Sequence, residues 1–235
     1  MRNTRTAVRA VIVAFVAVGL MASTAVAGQR SDPGAKWHRP AHLTLVHGID
    51  GENGFPVDIS LWKLGGGVQH FDDVTYGTVA GPLEVKAGIY RVSVRAADAP
   101  RYSTPLLKKW VWLRAGANKS VVAHLTADGS PTLSAYRNDV SDSEAGARVT
   151  VRHNAAVGPV NVYANGDKVI KRLANPHQAV LDIPATTLNI KVMVAGGPTV
   201  FDADVAFAEN TNTIIYATLD ADGNFNPLLQ VLPTA

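Results

Sequence analysis

The sequence predicts an all-β protein built from two tandem antiparallel β-sandwich domains that follow an export signal. Apolar and polar residues alternate with a period of two, as at residues 89–95 and 188–194. Glycine, proline, asparagine and aspartate recur at close intervals, and Asn-Gly and Asp-Gly pairs supply the positive φ angles of tight hairpins. No segment has the apolar period and caps of an amphipathic helix. About seven short strands per copy, separated by turns, are typical of a sandwich rather than a barrel.

The chain contains the same pattern twice, which is the third observation behind the fold class. Residues 43–47 (LTLVH) return as 149–153 (VTVRH), 56–59 (PVDI) as 159–162 (PVNV), and 125–129 (LTADG) as 219–223 (LDADG). The distance between matching segments shortens along the chain, as expected of duplicated domains that differ in loop length. One copy can therefore be used to interpret the other.

Residues 1–27 are predicted to be a signal peptide. Arginines at positions 2, 5 and 9 precede a largely apolar run over residues 11–21, and small alanines occupy positions 25 and 27, the two positions that a signal peptidase reads. We expect cleavage after about Ala27 and a secreted, extracytoplasmic protein without stable membrane insertion. The alternative is an uncleaved anchor, although the apolar run is shorter than the about 20 residues that span a membrane.

The mature chain divides into four parts. We predict a flexible lead-in over residues 28–40 and a first β-sandwich repeat over 41–138. An acidic linker over 139–146 and a second β-sandwich repeat over 147–235 follow. Each repeat is long enough to bury a core of its own. Since the chain has no cysteine, core burial must hold the fold without disulfides.

The charge of the mature chain argues against a nucleic-acid partner. The whole chain has 22 basic and 19 acidic residues, and residues 1–27 carry three arginines and no acid, so the mature chain is neutral. A nucleic-acid binder needs a basic surface that neutralises phosphates. The charge is uneven, however, because residues 28–138 hold 13 basic and 9 acidic residues whereas 147–235 hold 6 and 7.

The duplicated histidines, His47 and His153, share strand parity with apolar neighbours. We expect each to point toward the core at a strand end and to bond to a neighbouring loop backbone. A metal or acid–base role is the alternative. The other histidines have no spacing typical of zinc, so no metal site is predicted.

Two acidic features have structural interpretations. Asp58 and Asn161 occupy matching positions, and Asp58 alternates with apolar residues, so it faces away from the core or caps a strand edge. Residues 220–224 (DADGN) resemble part of a calcium loop but lack the later ligands and the closing glutamate. The matching segment keeps only Asp128 and Gly129, which a hairpin turn explains, and no cofactor is expected.

Motifs for catalysis are missing from the sequence. It has no Gly-x-Ser-x-Gly elbow, no cysteine nucleophile and no phosphate-binding glycine loop ahead of a helix. We therefore predict a protein that is not an enzyme. The alternative is an exported hydrolase of unrecognised type that uses His47 or His153.

The first repeat carries tryptophan and basic residues on one face of a strand. That face holds Lys108, Trp110, Trp112 and Arg114, and the opposite face holds Val111 and Leu113. The second repeat has Asp202, Asp204 and Ala206 at the positions of residues 108, 110 and 112, and Val205 and Phe207 at those of 111 and 113. Because charged residues mark the outward face of a strand, the tryptophans are predicted to point outward.

Trp62 leads to the same expectation, since it aligns with Asn165 of the second repeat. Trp62, Trp110 and Trp112, with Lys108 and Arg114, are thus candidates for binding a glycan or a protein partner. The alternative is that the tryptophans pack against the second repeat or the lead-in.

An ordered series of short motifs resembles an exported bacterial family of domains of unknown function. The series comprises residues 43–48 (LTLVHG), 56–59 (PVDI), 74–78 (VTYGT) and 87–92 (AGIYRV). Members of that family open with a Val-x-Val-x-His-Ala strand, continue with Val-Asp-Val-Tyr and Ala-Gly-Thr-Tyr, and commonly occur in tandem. The second repeat departs from the pattern at Asn161 and at residues 186–188 (TTL). The resemblance implies an immunoglobulin-like β-sandwich outside the cytoplasm, and it implies no activity or cofactor.

These expectations combine into one functional hypothesis. The protein is predicted to be an exported, non-catalytic, two-module protein at the cell surface. It contacts a glycan, wall polymer or protein partner through the first repeat, with the second repeat as spacer or support. A purely structural role, as scaffold or adhesive filler, remains an alternative.

Overall fold

The computed structural model describes residues 39–51 and 54–234. The predicted signal peptide and nearly all of the predicted lead-in lie outside these residues. The described residues contain no α-helix, and none of their segments is a helix long and apolar enough to cross a membrane. The predicted all-β class is confirmed.

The described part of repeat 1 contains eight strands, one more than predicted. They are β1 (Ala41–His47), β2 (Val57–Lys63), β3 (Val68–Val74), β4 (Val79–Val85), β5 (Gly88–Ala96), β6 (Leu107–Leu113), β7 (Asn118–Leu125) and β8 (Pro131–Arg137). Repeat 2 has the same number. They are β9 (Ala147–His153), β10 (Val160–Ala164), β11 (Asp167–Leu173), β12 (Gln178–Ile183), β13 (Thr187–Val194), β14 (Thr199–Ala206), β15 (Thr211–Ala217) and β16 (Leu228–Pro233).

The strands form four four-stranded sheets with a duplicated topology. Repeat 1 has sheet A, in the order β4-β1-β7-β8, and sheet B, in the order β3-β2-β5-β6. Repeat 2 has sheet C, in the order β12-β9-β15-β16, and sheet D, in the order β11-β10-β13-β14. Each order in repeat 2 is that of repeat 1 shifted by eight strands, so the duplication seen in the sequence extends to the whole topology.

The predicted antiparallel pairing describes all neighbouring strands except one pair in sheet A and one pair in sheet C. Strand β1 runs parallel to β7, and β9 runs parallel to β15. Parallel neighbours need a long crossover, and here the chain visits the other sheet of the sandwich between the two strands. Turn motifs report only hairpins between successive strands, so they could not reveal this pairing.

Each repeat encloses its own apolar core. Sheets A and B contribute to the first, which includes Leu43 and Leu45 of β1 and Val92 and Val94 of β5. Sheets C and D contribute to the second, which includes Val149 of β9. The alternating positions of each strand supply these inward side chains.

A third core, the junction core, lies between the repeats. It combines residues of sheets A and C: Val46, Val122, Tyr136, Ile214, Tyr216 and Leu232. Strand β1 therefore contributes to one core through Leu43 and Leu45 and to another through Val46. The layers follow the order B-A-C-D, so that the central strands β1 and β9 of sheets A and C are buried on both faces, and sheets B and D are the outer layers.

A buried arginine lies at the centre of the junction. The side chain of Arg152 is fully buried and donates hydrogen bonds to Tyr216 Oη at 3.0 Å, Gln178 Oε1 at 3.0 Å and Asn138 Oδ1 at 2.7 Å. These acceptors are neutral, and the rings of Tyr136 and Tyr216 lie 4.6 and 5.2 Å from the guanidinium carbon. Cation–π contact thus compensates part of the lost hydration, and burial lowers the pKa of Arg152.

The hydrogen bonds continue into repeat 1. Tyr216 Oη lies 2.8 Å from Ser120 Oγ and 2.6 Å from Gln230 Oε1, and Gln230 Nε2 donates to Thr44 Oγ1 at 2.7 Å. Buried polar groups stabilise a structure only when they are paired. This network therefore fixes how sheet A lies on sheet C.

The linker over residues 139–146 is also held in place. Arg148 of β9 donates to the carbonyl of Ser141 at 2.7 Å and pairs with Asp139 at 3.3 Å and Asp182 at 2.9 Å. Asn212 of β15 donates to the carbonyl of Asp139 at 2.8 Å. The acidic residue at the start of the linker thus neutralises a largely buried arginine.

Candidate binding face

The outer face of sheet B brings the predicted tryptophans together. Trp62 of β2 is paired with Arg91 of β5, and Arg91 is paired with Trp110 of β6, so the three side chains form one row across the sheet. The two indoles meet edge to face, with centroids 5.7 Å apart and an interplanar angle of 73°. The Arg91 guanidinium carbon lies 5.1 Å from the Trp62 ring and 5.8 Å from the Trp110 ring. Arg91 is therefore packed against both indoles.

A second row lies beside the first. Ile89 of β5 is paired with Trp112 of β6, and the Arg114 guanidinium carbon lies 4.4 Å from the Trp112 ring. Trp112 is 57% exposed, Trp110 is 52% exposed and Ile89 is 43% exposed. Large apolar side chains that are this open and this close together form a continuous patch and not isolated exposures.

The third row is polar. Ser93 of β5 lies opposite Ser60 of β2 and Lys108 of β6. Lys108 is exposed, whereas Ser93 is buried among its larger neighbours. We call the resulting surface the tryptophan face and define it by Trp62, Ile89, Arg91, Lys108, Trp110, Trp112 and Arg114. All five sequence-predicted binding candidates belong to it.

The tryptophan face is cationic. Its seven defining positions include three basic residues and no carboxylate. The carboxylates on the outer side of sheet B, Asp58 and Asp72, lie toward the opposite end of the strands, and Asp72 is paired with Arg101 at 3.0 Å. Three of the basic residues of repeat 1 thus lie beside the indoles.

The equivalent face of repeat 2 is polar. By strand register, Asn165, Asn189 and Asp204 of sheet D occupy the positions of Trp62, Arg91 and Trp110. Asn189 Nδ2 donates to Asp204 Oδ1 at 3.2 Å, so this row is an amide–carboxylate network. The same topology therefore forms with or without the tryptophans.

His47 and His153 are buried at the ends of β1 and β9, as predicted from their parity. Nε2 of His47 lies 3.4 Å from the carbonyl of Phe55, and Nε2 of His153 lies 3.0 Å from the carbonyl of Gly158. Burial lowers the pKa of both imidazoles. Both side chains are almost completely shielded from solvent.

Sequence comparison between the copies missed His124 on β7, because the second repeat has no histidine at the matching position. Its ring is fully buried, with Nδ1 2.8 Å from the carbonyl of Leu125 and Nε2 2.8 Å from Ser134 Oγ. Burial lowers the pKa of His124 as well. Hydrogen bonds at both ring nitrogens indicate a structural role.

Asp58 and Asn161 share a structural role that the sequence did not reveal. Asp58 Oδ1 accepts a hydrogen bond from the backbone N–H of Asp73 at 3.1 Å, and Asn161 Oδ1 accepts one from Arg172 at 3.0 Å. Asp73 and Arg172 have φ angles of 53° and 50°, and the ladder shifts register beside each of them. The duplicated position thus holds a β-bulge, which needs an oxygen acceptor but no charge.

The segment over residues 220–224 is a turn. Asp220 Oδ1 accepts from the backbone N–H groups of Asp222 at 3.0 Å and Asn224 at 2.8 Å, as in an Asx turn. Over residues 39–51 and 54–234, no group of three or more histidine, aspartate or glutamate side chains is placed to hold a metal ion.

A small cleft of about 220 Å³ lies where loops of the two repeats meet. Its lining includes Gly48 and Asp50 of repeat 1 and Leu219, Asp220 and Ala221 of repeat 2, and no histidine is among the described residues that line it. Asp50 Oδ2 accepts from the backbone N–H of Ala221 at 3.1 Å. The volume of the cleft is below the about 300 Å³ that is the lower end of the range for ligand pockets.

Comparison with known proteins gives a family and distant structural similarity. Residues 41–160 match the model of a family described as "Domain of unknown function (DUF4397)". This match covers repeat 1, the linker and the first strand of repeat 2. No curated protein matches the chain.

Solved structures from Bacteroides uniformis, Bacteroides ovatus and Bacteroides eggerthii, each described as a "putative cell adhesion protein", are similar to this chain. The identities are 11%, 8% and 9%, and the TM-scores are 0.29, 0.29 and 0.23. The alignments cover 84% of this chain and 98%, 98% and 97% of the respective neighbours. These scores are too low to transfer a role to this chain.

Proposed function

Since this chain belongs to the DUF4397 family, whose description assigns no activity, we propose from its own surface that it is an extracytoplasmic, non-catalytic binding module. The tryptophan face of repeat 1 contacts a glycan, wall polymer or protein outside the cell. Repeat 2 supports that face by covering the back of sheet A.

The observation that carries this proposal is the pair of exposed indoles beside Ile89. Trp110 and Trp112 are each more than half exposed, and indole side chains contribute large contact areas at binding surfaces. Repeat 2 places Asp204 and Ala206 at the same register, so the topology does not require apolar residues there. Contact with a partner accounts for apolar side chains that folding leaves open.

The non-catalytic part of the proposal is supported by the histidines. His47 and His153 were the candidates for acid–base chemistry, and both are enclosed against loop carbonyls. A general base must lie within hydrogen-bond reach of a substrate proton. Enclosed imidazoles do not meet that condition, so the hydrolase alternative loses its candidate residues.

The order of the layers supports the role proposed for repeat 2. Sheet C packs on sheet A through the junction core and the Arg152 network. Sheet B is thus one of the two outer layers of a four-layer stack, and the partner meets a surface whose back is packed against sheet A. Pre-organisation of this kind reduces the entropic cost of binding.

The experiment compares wild-type mature protein with the double variant Trp110→Ala/Trp112→Ala. Binding to isolated bacterial cell wall and to extracellular protein fractions is measured by co-sedimentation and pull-down. We expect the double variant to lose at least about tenfold in affinity, because each indole that becomes buried against the partner contributes about 1 kcal/mol or more to binding. The matched control is Asp204→Ala, at the register of Trp110 in repeat 2, which should bind like wild type.

Unfolding by urea separates binding from stability. The double variant should lose no more than about 1.5 kcal/mol, mainly from the edge-to-face contact between Trp62 and Trp110. A loss above about 3 kcal/mol would identify the indoles as core residues. Unchanged binding by the double variant, or no binding of wild type to either fraction, would refute the proposal.

A further inference from the structure

The tryptophan face combines two chemistries in adjacent rows. Trp62, Trp110 and Trp112 supply aromatic surface, and each lies within 6 Å of a guanidinium carbon, that of Arg91 or Arg114. A planar guanidinium can stack on an indole and still donate hydrogen bonds from its edge. Each contact therefore offers an apolar ring and a cationic donor at the same place.

We propose that the ligand of this face is an anionic glycan, a polymer of sugar rings that carries carboxylate or phosphate groups. This inference rests on the proposed function and names its ligand class. The ring faces of the sugars stack on the indoles, because the C–H bonds of a pyranose face point to the electron-rich face of an aromatic ring. The anionic groups pair with Arg91, Lys108 and Arg114 through charge-assisted hydrogen bonds.

The shape of the surface favours a polymer. Trp110 and Trp112 are two residues apart on β6, and alternate residues of a strand are about 6.6 Å apart along one face. The row from Trp62 to Trp110 extends the surface across three strands. Small ligands prefer enclosed clefts, whereas this arrangement is an open platform on which successive units of an extended chain can lie.

Charge argues against a second copy of this protein as the occupant. In a two-fold dimer, the same patch of both copies meets. Arg91, Lys108 and Arg114 would then lie against the same cations of the other copy, without a carboxylate at the defining positions to pair with them. Like charges brought together at an interface oppose association.

The cations beside the indoles are not needed for the fold. Repeat 2 has Asn189 and Asp202 at the positions of Arg91 and Lys108 and forms the same sheet. Within the described residues, the Nε atom of Arg91 is buried and has no hydrogen-bond partner. The guanidinium is therefore held beside the indoles by packing, and over residues 39–51 and 54–234 no carboxylate forms a salt bridge with it.

The test uses polymers that separate ring from charge. Polygalacturonate carries sugar rings and carboxylates, its fully methyl-esterified form keeps the rings without the charge, and poly-L-glutamate carries carboxylates without rings. Affinity of the mature protein for each is measured by calorimetry at two salt concentrations. We expect polygalacturonate to bind at least tenfold more tightly than either of the other polymers, and its affinity to fall as salt rises.

An arm with poly(glycerol phosphate), with and without sugar substituents, distinguishes phosphate from carboxylate as the source of charge. Tighter binding of the sugar-substituted phosphate polymer than of polygalacturonate would assign the anion as phosphate and keep the proposal. Equal binding of polygalacturonate and its methyl ester, without tighter binding of the sugar-substituted phosphate polymer, would overturn it. Equal binding of poly-L-glutamate and polygalacturonate would also overturn it, in favour of an acidic protein segment.

The charge-removing variant is Lys108→Gln/Arg114→Gln, which keeps all three tryptophans. It should lose at least tenfold in affinity for the best anionic glycan and less than threefold for the methyl ester. The matched control, Lys168→Gln/Lys191→Gln, removes the same charge from sheet D and should bind like wild type. Circular dichroism and the urea midpoint of each variant verify the fold.

Failure of this inference differs from failure of the proposed function. If the inference alone is wrong, Trp110→Ala/Trp112→Ala still loses cell-wall or protein binding while charge on the glycan has no effect. If the proposed function is wrong, neither Trp110→Ala/Trp112→Ala nor Lys108→Gln/Arg114→Gln changes binding to any polymer or fraction.

Discussion

Replacement of Ile214 by alanine tests whether the two repeats unfold as one unit. Ile214 lies on β15 of repeat 2, is fully buried, and belongs to the junction core with Val46 and Val122 of repeat 1. The substitution removes three buried carbon atoms, which forfeits roughly 2.4 kcal/mol at about 0.8 kcal/mol per carbon. The cavity that remains raises the expected loss in the free energy of unfolding to about 3–4 kcal/mol.

The positions of the tryptophans make the assay specific. All four tryptophans precede residue 113, so tryptophan fluorescence reports on the first half of the chain, whereas far-ultraviolet circular dichroism reports on both repeats. We expect one urea transition with both probes. With an m value of about 2 kcal/mol/M, the midpoint should fall by about 1.5–2 M in the variant. The fluorescence midpoint should move as far as the dichroism midpoint.

The control is Val231→Ala on β16. Val231 is exposed, so this change should alter stability by no more than about 0.5 kcal/mol. A fluorescence midpoint that stays at the wild-type value in Ile214→Ala, while circular dichroism shows an early partial transition, would refute the reasoning. The repeats would then unfold independently despite their shared junction core.

Two further predictions concern buried and bulge-holding polar groups. Asp58→Asn should leave the urea midpoint nearly unchanged, because Asn161 shows that an amide oxygen can hold the same bulge. Asp58→Ala should lower the free energy of unfolding by about 1 kcal/mol. Equal losses in both variants would contradict this role. Because burial lowers the pKa values of His47, His124 and His153 in the folded state, the unfolded state binds more protons below its pKa of about 6.5. Stability should therefore be constant above about pH 7 and fall between about pH 6.5 and pH 5, and urea midpoints that rise on acidification over this range would show the opposite linkage.

Period-two patterning and duplication predicted much of the fold. They identified the all-β class, the inward histidines and the outward position of Trp110 and Trp112. The tryptophans could be placed because the two copies share a strand register, and the second copy has a charged residue where the first has Trp110. The same alternation could not show what covers an outward face. On β9, Thr150 and Arg152 occupy the polar positions of the alternation, yet they are buried by sheet A.

That limit has a physical reason. A polar side chain indicates a need for hydrogen-bond partners, and either water or a neighbouring sheet can supply them. Arg152 finds its partners in Gln178, Tyr216 and Asn138, which are distant from it in sequence. Strand periodicity does not predict contacts between residues that are distant in sequence, so the junction core and the parallel strand pairs are seen only in the structure.

The most direct measurement for the central claim is an NMR titration of the mature protein with soluble fragments of bacterial cell wall. Two-dimensional 1H–15N spectra resolve the indole N–H signals of Trp62, Trp110 and Trp112 and the backbone signals of both outer sheets. If the tryptophan face is the binding surface, these indole signals and the amides of β5 and β6 shift together, while those of β13 and β14 in sheet D stay in place. Shifts confined to sheet D or to the cleft between the repeats, with unchanged indole signals, would contradict the account.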